Sequence, residues 1–259
     1  MTPELSRVDI QAAADRNFVA SFQKLVEHNP AGSGRDVGGA YAFGTGLPIG
    51  LFNGCVVTRA VTPEALAEAI EWVAGAGVPF RVWVRTGLPA QLAAVPPERG
   101  LVLHPRPYPG MALHPIPQPP PPSGGVKVRR VVDSADLAEH RAILVAGGAT
   151  ADVTERLLPP TMLADSDMAL LTASLDGRPA GTALAIRSGA TVGVYNVGTL
   201  PAARRRGVGS AATWAAVAVG LGWGCELAVL QSSDMGQSVY EAMGFRTVVR
   251  YLEFRQPVP

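Results

Sequence analysis

Cysteine is almost missing from this chain: Cys55 and Cys225 are the only two in 259 residues, too few to build a disulfide framework. The four histidines, His28, His104, His114 and His140, show no metal-ligand spacing, so no metal site is read. Charge is also scarce. Charged residues make up 17% and the net charge is +1, which leaves no global field to hold a nucleic acid or an anionic membrane. Any anion site must therefore come from local geometry, and the ligand is expected to be small. Of the 22 basic residues only Lys24 and Lys127 are lysines, which fits codon bias together with planar guanidinium contacts. An unbroken apolar leader is lacking too, because Glu4, Arg7 and Asp9 interrupt it; export is not expected and a reducing cytoplasm fits. Two uncharged runs are weighed as membrane spans. Residues 37–58 contain seven Gly or Pro residues, which suits turns between short strands. Residues 207–225 follow Arg204, Arg205 and Arg206 and are 19 long, but their apolar content is mostly Ala and Gly, so burial between a sheet and helices is the reading.

What the chain does have is a 47% hydrophobic fraction, enough for a sizeable core, and a length near two domains at roughly 150 residues each. A Pro-rich stretch, Pro115, Pro117 and Pro119 to Pro122 followed by Ser123, Gly124 and Gly125, cannot form a helix or a central strand and divides the protein. The expected boundaries are 1–114, a linker at 115–125, and 126–259. The first half reads as a helix from about Leu5 to His28, strands near Ala40 to Phe43 and Gly50 to Thr58, and a helix capped by Thr62 with Pro63 at its first position. A strand at Phe80 to Val84, a weak helix at Ala90 to Val95 and a closing pair near Leu101 and Met111 follow. The second half reads as a strand at Val126 to Val132, a helix capped by Ser134, a helical piece after Asp152, and three antiparallel strands turning at Asp176-Gly177. Then come a helix from Gly207, a strand at Glu226 to Leu230, a helix from Asp234 to Met243 and a strand at Arg246 to Phe254. Leu51-Phe52-Asn53 and Val194-Tyr195-Asn196 precede similar element orders, which suggests a diverged duplication.

The stretch from Tyr195 to Phe245 carries the chemistry. Arg204, Arg205, Arg206, Gly207, Val208, Gly209 and Ser210 open a helix, and consecutive N–H groups at a helix start with little side-chain bulk form a cradle for a pyrophosphate. A solvated basic turn capping a core helix is the bland alternative. Gly207-x-Gly209-x-x-Ala212 meets the loose dinucleotide pattern, but Pro201 to Arg206 separate it from its strand, and the 33 residues after Glu226 cannot complete such a domain. No Gly-Lys-Ser or Gly-Lys-Thr exists for a P-loop.

Thr199-x-Pro201-x-x-Arg204-x-x-Gly207-x-Gly209, followed by a strand and Tyr240-x-x-x-Gly244-Phe245, resembles the GNAT superfamily of acetyl-CoA-dependent N-acyltransferases over roughly residues 126–259. The resemblance implies an α/β (α+β) fold of two GNAT-like mixed-sheet domains in tandem, sheets flanked by helices, the first a degenerate copy without a CoA motif. It also implies that Val197, Gly198 and Thr199 pair with the pantetheine arm of acetyl-CoA and that the N–H groups from Arg205 to Ser210 hold its pyrophosphate. Tyr240 corresponds to the tyrosine that protonates the departing CoA thiolate. Asp234 stands where many relatives have Asn near the CoA arm, and as a departure it serves as an N-cap or as a cofactor contact.

The general base is open. An alkylamine of pKa near 10.4 is neutral in only roughly one molecule in 2,500 at pH 7, yet residues 191–200 hold no carboxylate. Asn196 could position a water or a substrate carbonyl or be a structural amide; Asp165 and Asp167 could approach the acceptor or lie in a solvated loop. A less basic acceptor nitrogen would remove the need. The implied activity is acetyl transfer to a primary amine, on a small molecule or a peptide, by a monomer or homodimer. The rival is a non-catalytic acyl-CoA sensor or scaffold.

Overall fold

A computed structural model describes residues 6–122 and 124–257. Leu5, where the first helix was expected to begin, and Ser123 in the linker lie outside these. In chain order the elements are α1 (Arg7–His28), β1 (Ser33–Val37), β2 (Ala40–Gly44), β3 (Asn53–Val57), α2 (Pro63–Ala74), β4 (Arg81–Arg85), α3 (Val95–Glu98), β5 (Val102–Leu103) and β6 (Tyr108–Leu113). They continue with β7 (Val126–Arg130), α4 (Ser134–Ala146), α5 (Ala151–Leu157), β8 (Met168–Leu175), β9 (Arg178–Ser188), β10 (Thr191–Thr199), α6 (Val208–Gly222), β11 (Leu227–Gln231), α7 (Gln237–Ala242) and β12 (Arg246–Arg255).

The chain divides into two compact units that are not consecutive halves. One comprises Val19–Gly110 with Thr247–Pro259, the other Met1–Phe18 with Met111–Arg246. The linear division at 115–125 therefore does not coincide with the packing: most of β12 belongs with the N-proximal unit. The reason is pairing. β12 runs antiparallel to β4, with Tyr251 opposite Arg85 and Arg255 opposite Arg81, and Phe254 also pairs with Leu103 of β5. So the closing pair expected near Leu101 and Met111 is instead a partnership of β5 with β12. From 114 to 122 the chain has no helix or strand, as its prolines require.

The N-proximal sheet runs β1-β2-β3-β4-β12. β1 was missed because Arg35 and Asp36 break its apolar pattern; four of its five residues are exposed. α2 begins as its sequence dictates, with the Thr62 hydroxyl accepting from the Ala65 N–H at 3.2 Å. Its buried stripe, Leu66, Ala69, Ile70 and Val73, covers Val82, Val84 and Phe254.

The C-proximal sheet has the order β7-β8-β9-β10-β11. β7 to β10 are antiparallel neighbours, and the β8–β9 turn uses Asp176 (φ 52°) and Gly177 (φ 80°), both left-handed. β10 and β11 are parallel, with α6 as the crossover. α6 is a buried sheet-packing helix: Ala212, Ala216 and Val217 lie against Ala183, Ala185, Val192 and Val194. Its small residues set the approach, since a Cβ on Gly220 would meet Val192 Cγ1 at 2.3 Å. Among the described residues no helix is long and apolar enough to cross a membrane. The cap of α4 is Asp133 rather than Ser134, its carboxylate accepting from the Asp136 N–H at 2.8 Å.

Candidate active site

The parallel ladder between β10 and β11 is short. Thr191, Val192 and Gly193 pair with Leu227, Ala228 and Val229, and there the recorded ladder ends. On its other edge β10 carries a β-bulge: the register passes from Tyr195↔Leu184 to Gly198↔Thr182, so Asn196 and Val197 oppose the single residue Ala183. Asn196 takes the left-handed conformation (φ 49°) that asparagine tolerates best after glycine, and the Thr182 hydroxyl donates to its carbonyl at 3.0 Å. The bulge bends β10 away from the ladder just before the residues that face the site.

Those residues line a cleft of about 690 Å³, a volume usual for a ligand site. Val197, Gly198 and Thr199 of β10, Arg204, Arg205, Gly207, Val208, Gly209 and Ser210 at the start of α6, and Tyr240 of α7 all line it. The arginines do not open the helix itself. Pro201–Ala203 make a single 3-10 turn, Arg205 is left-handed (φ 59°), and Gly207 (φ 79°) is the N-cap of α6, with no side chain capping it. The Ala211 N–H makes the first bond back to Gly207, which leaves the preceding amides of the first turn without an intrahelical acceptor. A Cβ on Gly209 would sit 3.3 Å from Thr199 Oγ1, so a larger residue here would crowd the cradle. No acidic residue lines the cleft, whereas Arg204 and Arg205 do, which suits a polyanion.

Two expected contacts stand apart. Arg206 is absent from the cleft wall, its guanidinium held 2.8 Å from Asp176 on the β8–β9 turn. Asp234 is exposed and does not line the cleft; nor does it cap α7, which begins at Gln237 behind Gly236. Asp165 and Asp167 are absent from it too: Asp167 accepts from Arg187 Nε at 2.6 Å, and the Asp165 carboxylate accepts from the Asp167 N–H at 2.8 Å. Conversely, Ile143, Leu144, Gly147 and Ala149, from α4 and the loop after it, line the cleft and were not foreseen. They sit more than fifty residues upstream of the glycine-arginine stretch, and nothing local to them signals a ligand.

Tyr240 is partly buried, with its ring edge-on to Phe245 at 6.0 Å. Burial pushes its phenol above the ordinary value of 10, and a hydrogen bond with the Thr213 side chain pulls it partly back. The phenol is therefore protonated throughout the neutral range and available as a proton donor.

Residues 145–245 match the family described as Acetyltransferase (GNAT) family. That stretch is thus similar to the GNAT acetyltransferase family. The GNAT fold extends beyond that stretch. A GCN5-related N-acetyltransferase from Kribbella flavida is similar over 95% of this chain and 96% of its own, with a TM-score of 0.70 at 23% identity. A tandem GNAT protein from the clavulanic acid biosynthesis pathway aligns over 98% of both chains, with a TM-score of 0.60 at 14% identity. A GCN5-related N-acetyltransferase from Sphaerobacter thermophilus gives 0.62 at 20% identity, over 84% of this chain and 76% of its own. Among curated proteins none matches in sequence. Two GNAT-like mixed-sheet units in tandem thus describe the fold.

In the N-proximal unit the counterpart of β10–α6–β11 is β3–α2–β4. There the parallel ladder runs to the end of β3: Gly54 to Val57 pair with Arg81 to Val84, and only Asn53 lies outside it. A Cβ on Gly54 would fall 2.0 Å from the Arg81 carbonyl, so the two strands are in close contact at that point. The matched asparagines differ accordingly. Asn53 begins β3 and is fully buried, its Nδ2 donating to Leu47 and Pro79 carbonyls at 2.9 Å and its Oδ1 accepting from the Thr45 N–H at 2.9 Å.

Proposed function

We propose that the GNAT domain transfers an acetyl group from acetyl-CoA to a primary amine, with the C-proximal cleft as its coenzyme site. The observation that carries this reading is the coincidence, in one cleft, of a parted strand edge, a side-chain-poor helix start flanked by Arg204 and Arg205, and a partly buried phenol. The main-chain groups of Val197, Gly198 and Thr199 suit an extended pantetheine arm, and the amides of the first turn of α6 suit its diphosphate. A strand N–H polarises the thioester carbonyl, the neutral amine attacks the carbonyl carbon, the C–S bond breaks with Tyr240 giving its proton to the departing sulfur, and the proton that the nitrogen loses goes to solvent, from which the phenol is restored. To the N-proximal unit we assign no coenzyme site, because β3 stays zipped to β4 and Glu64 stands in the first turn of α2.

Calorimetry with CoA and single-turnover assays with acetyl-CoA across an amine panel test this. Tyr240→Phe should lower kcat by about 100-fold or more, the usual scale for a general acid, with CoA affinity unchanged. Binding of CoA without consumption of acetyl-CoA, together with an indifferent Tyr240→Phe, would establish the sensor or scaffold instead.

A further inference from the structure

We propose that the acceptor bears a carboxamide beside its amine, and that the side-chain amides of Asn196 and Gln231, on the two strands that part at the cleft, hold that group. The proposal rests on the transferase reading above. Gln231 ends β11 two residues beyond Val229, the last partner of β10, and Asn196 lies three residues beyond Gly193, the last partner of β11. The two therefore flank the opening from opposite sides. Asn196 Nδ2 and both amide atoms of Gln231 are buried and have no hydrogen-bond partner among the described residues. Such atoms are destabilising when left unpaired, and Asn53 shows that this fold satisfies a buried amide where the role is structural. Neither residue lines the coenzyme cleft, so the coenzyme is not what they await. Gln231 alternates with Ala228 and Leu230, which belong to the core under α6, and so faces the side of the sheet away from the cradle.

The chemistry of the pair is neutral: two NH2 groups as donors and one carbonyl acceptor, with no charged residue in 191–200 or 227–231. That set complements an amide, which offers one acceptor and one or two donors, and it does not complement a polycation or a free carboxylate. A second observation agrees. An amine next to a carbonyl has a pKa near that of an α-amino group, about 7.7–8.0, so roughly one molecule in ten is neutral at pH 7. Such an acceptor needs no carboxylate base, and β10 supplies none.

The test compares acetyl transfer to L-alaninamide, L-alanine methyl ester, isopropylamine and trialaninamide by the full chain, with kcat/KM expressed per neutral amine. The ester keeps the lowered pKa without the amide N–H, and isopropylamine lacks both. Alaninamide should exceed isopropylamine on the order of 100-fold, with the ester between them. Gln231→Leu should shrink that ratio to about tenfold or less, leave CoA affinity unchanged by calorimetry, and keep or raise the melting temperature, as removal of an unpaired buried amide requires. Asn196→Asp, which keeps the left-handed backbone but removes the donor, should shrink it too. A better rate with trialaninamide points to a peptide N-terminus and a better rate with alaninamide to a small amide; both support the proposal. Transfer with equal rates for all four amines, or a ratio untouched in Gln231→Leu, overturns it while leaving the transferase reading intact. Failure to bind CoA or to consume acetyl-CoA overturns both.

Discussion

His140 should make this protein lose stability on mild acidification, and the size of the loss follows from its surroundings. The imidazole on α4 is 0% exposed. Its Nδ1 lies 3.2 Å from the Thr172 hydroxyl, and its Nε2 has no partner among the described residues. Burial holds the ring at a pKa of about 4, with the Leu171 backbone bond opposing the shift. In the unfolded chain the ring titrates near 6.5, so between pH 6.5 and 4 the unfolded state binds a proton that the folded state refuses. Stability from this group is complete above pH 6.5 and is lost as pH falls towards 4, by about 1.4 kcal/mol per pH unit in mid-range. Between pH 7.5 and 4.5 the loss amounts to about 2.5 kcal/mol. Urea unfolding at pH 7.5, 6.5, 5.5 and 4.5, on the wild type and on His140→Gln, isolates the effect, because carboxylate titrations are common to both. The variant should show a fall smaller by about 2.5 kcal/mol. Equal falls in the two proteins would refute the reasoning, whatever the variant's stability at neutral pH.

The cradle and the N-proximal core give two more expectations. Gly209→Val adds bulk where a Cβ already stands 3.3 Å from Thr199 Oγ1, so CoA affinity measured by calorimetry should drop at least about tenfold with the circular dichroism spectrum unchanged. Glu253 in β12 is buried and ion-paired to Arg81 at 2.6 Å and Arg255 at 2.8 Å, so Glu253→Gln leaves two guanidinium groups without their shared carboxylate. A loss of about 3 kcal/mol in urea unfolding is expected; less than about 0.5 kcal/mol would contradict it.

Local chemistry made some of this structure legible in sequence. Thr62-Pro63-Glu64 caps α2 as read, and the Asp176-Gly177 turn has both left-handed residues that its type demands. Gly207, Gly209 and Tyr240, singled out in sequence, line one cleft, and of these only the glycines leave a trace in local chemistry, as small residues at a helix start. What escaped depends on distant partners. The cap of α4 moved one residue because Asp133 competes with Ser134 and wins the Asp136 N–H. Arg206 leaves the cleft because Asp176, thirty residues earlier, is brought beside it by the β8–β9 hairpin. The bulge at Asn196 has no sequence signature beyond asparagine's tolerance of the left-handed region, and it needed the register of β9 to be seen.

The placement of β12 has a consequence for synthesis. A ribosome releasing this chain has finished β1 to β4 before residue 90, yet their last neighbour, residues 246–255, is made more than 150 residues later. Until then Arg81 to Arg85 present an unfilled ladder edge, and Tyr251, Phe254 and Glu253 are not yet there to complete the core. The N-proximal unit is thus begun early and completed only when β12 arrives, and a chain lacking β12 would leave it waiting indefinitely, an aggregation hazard.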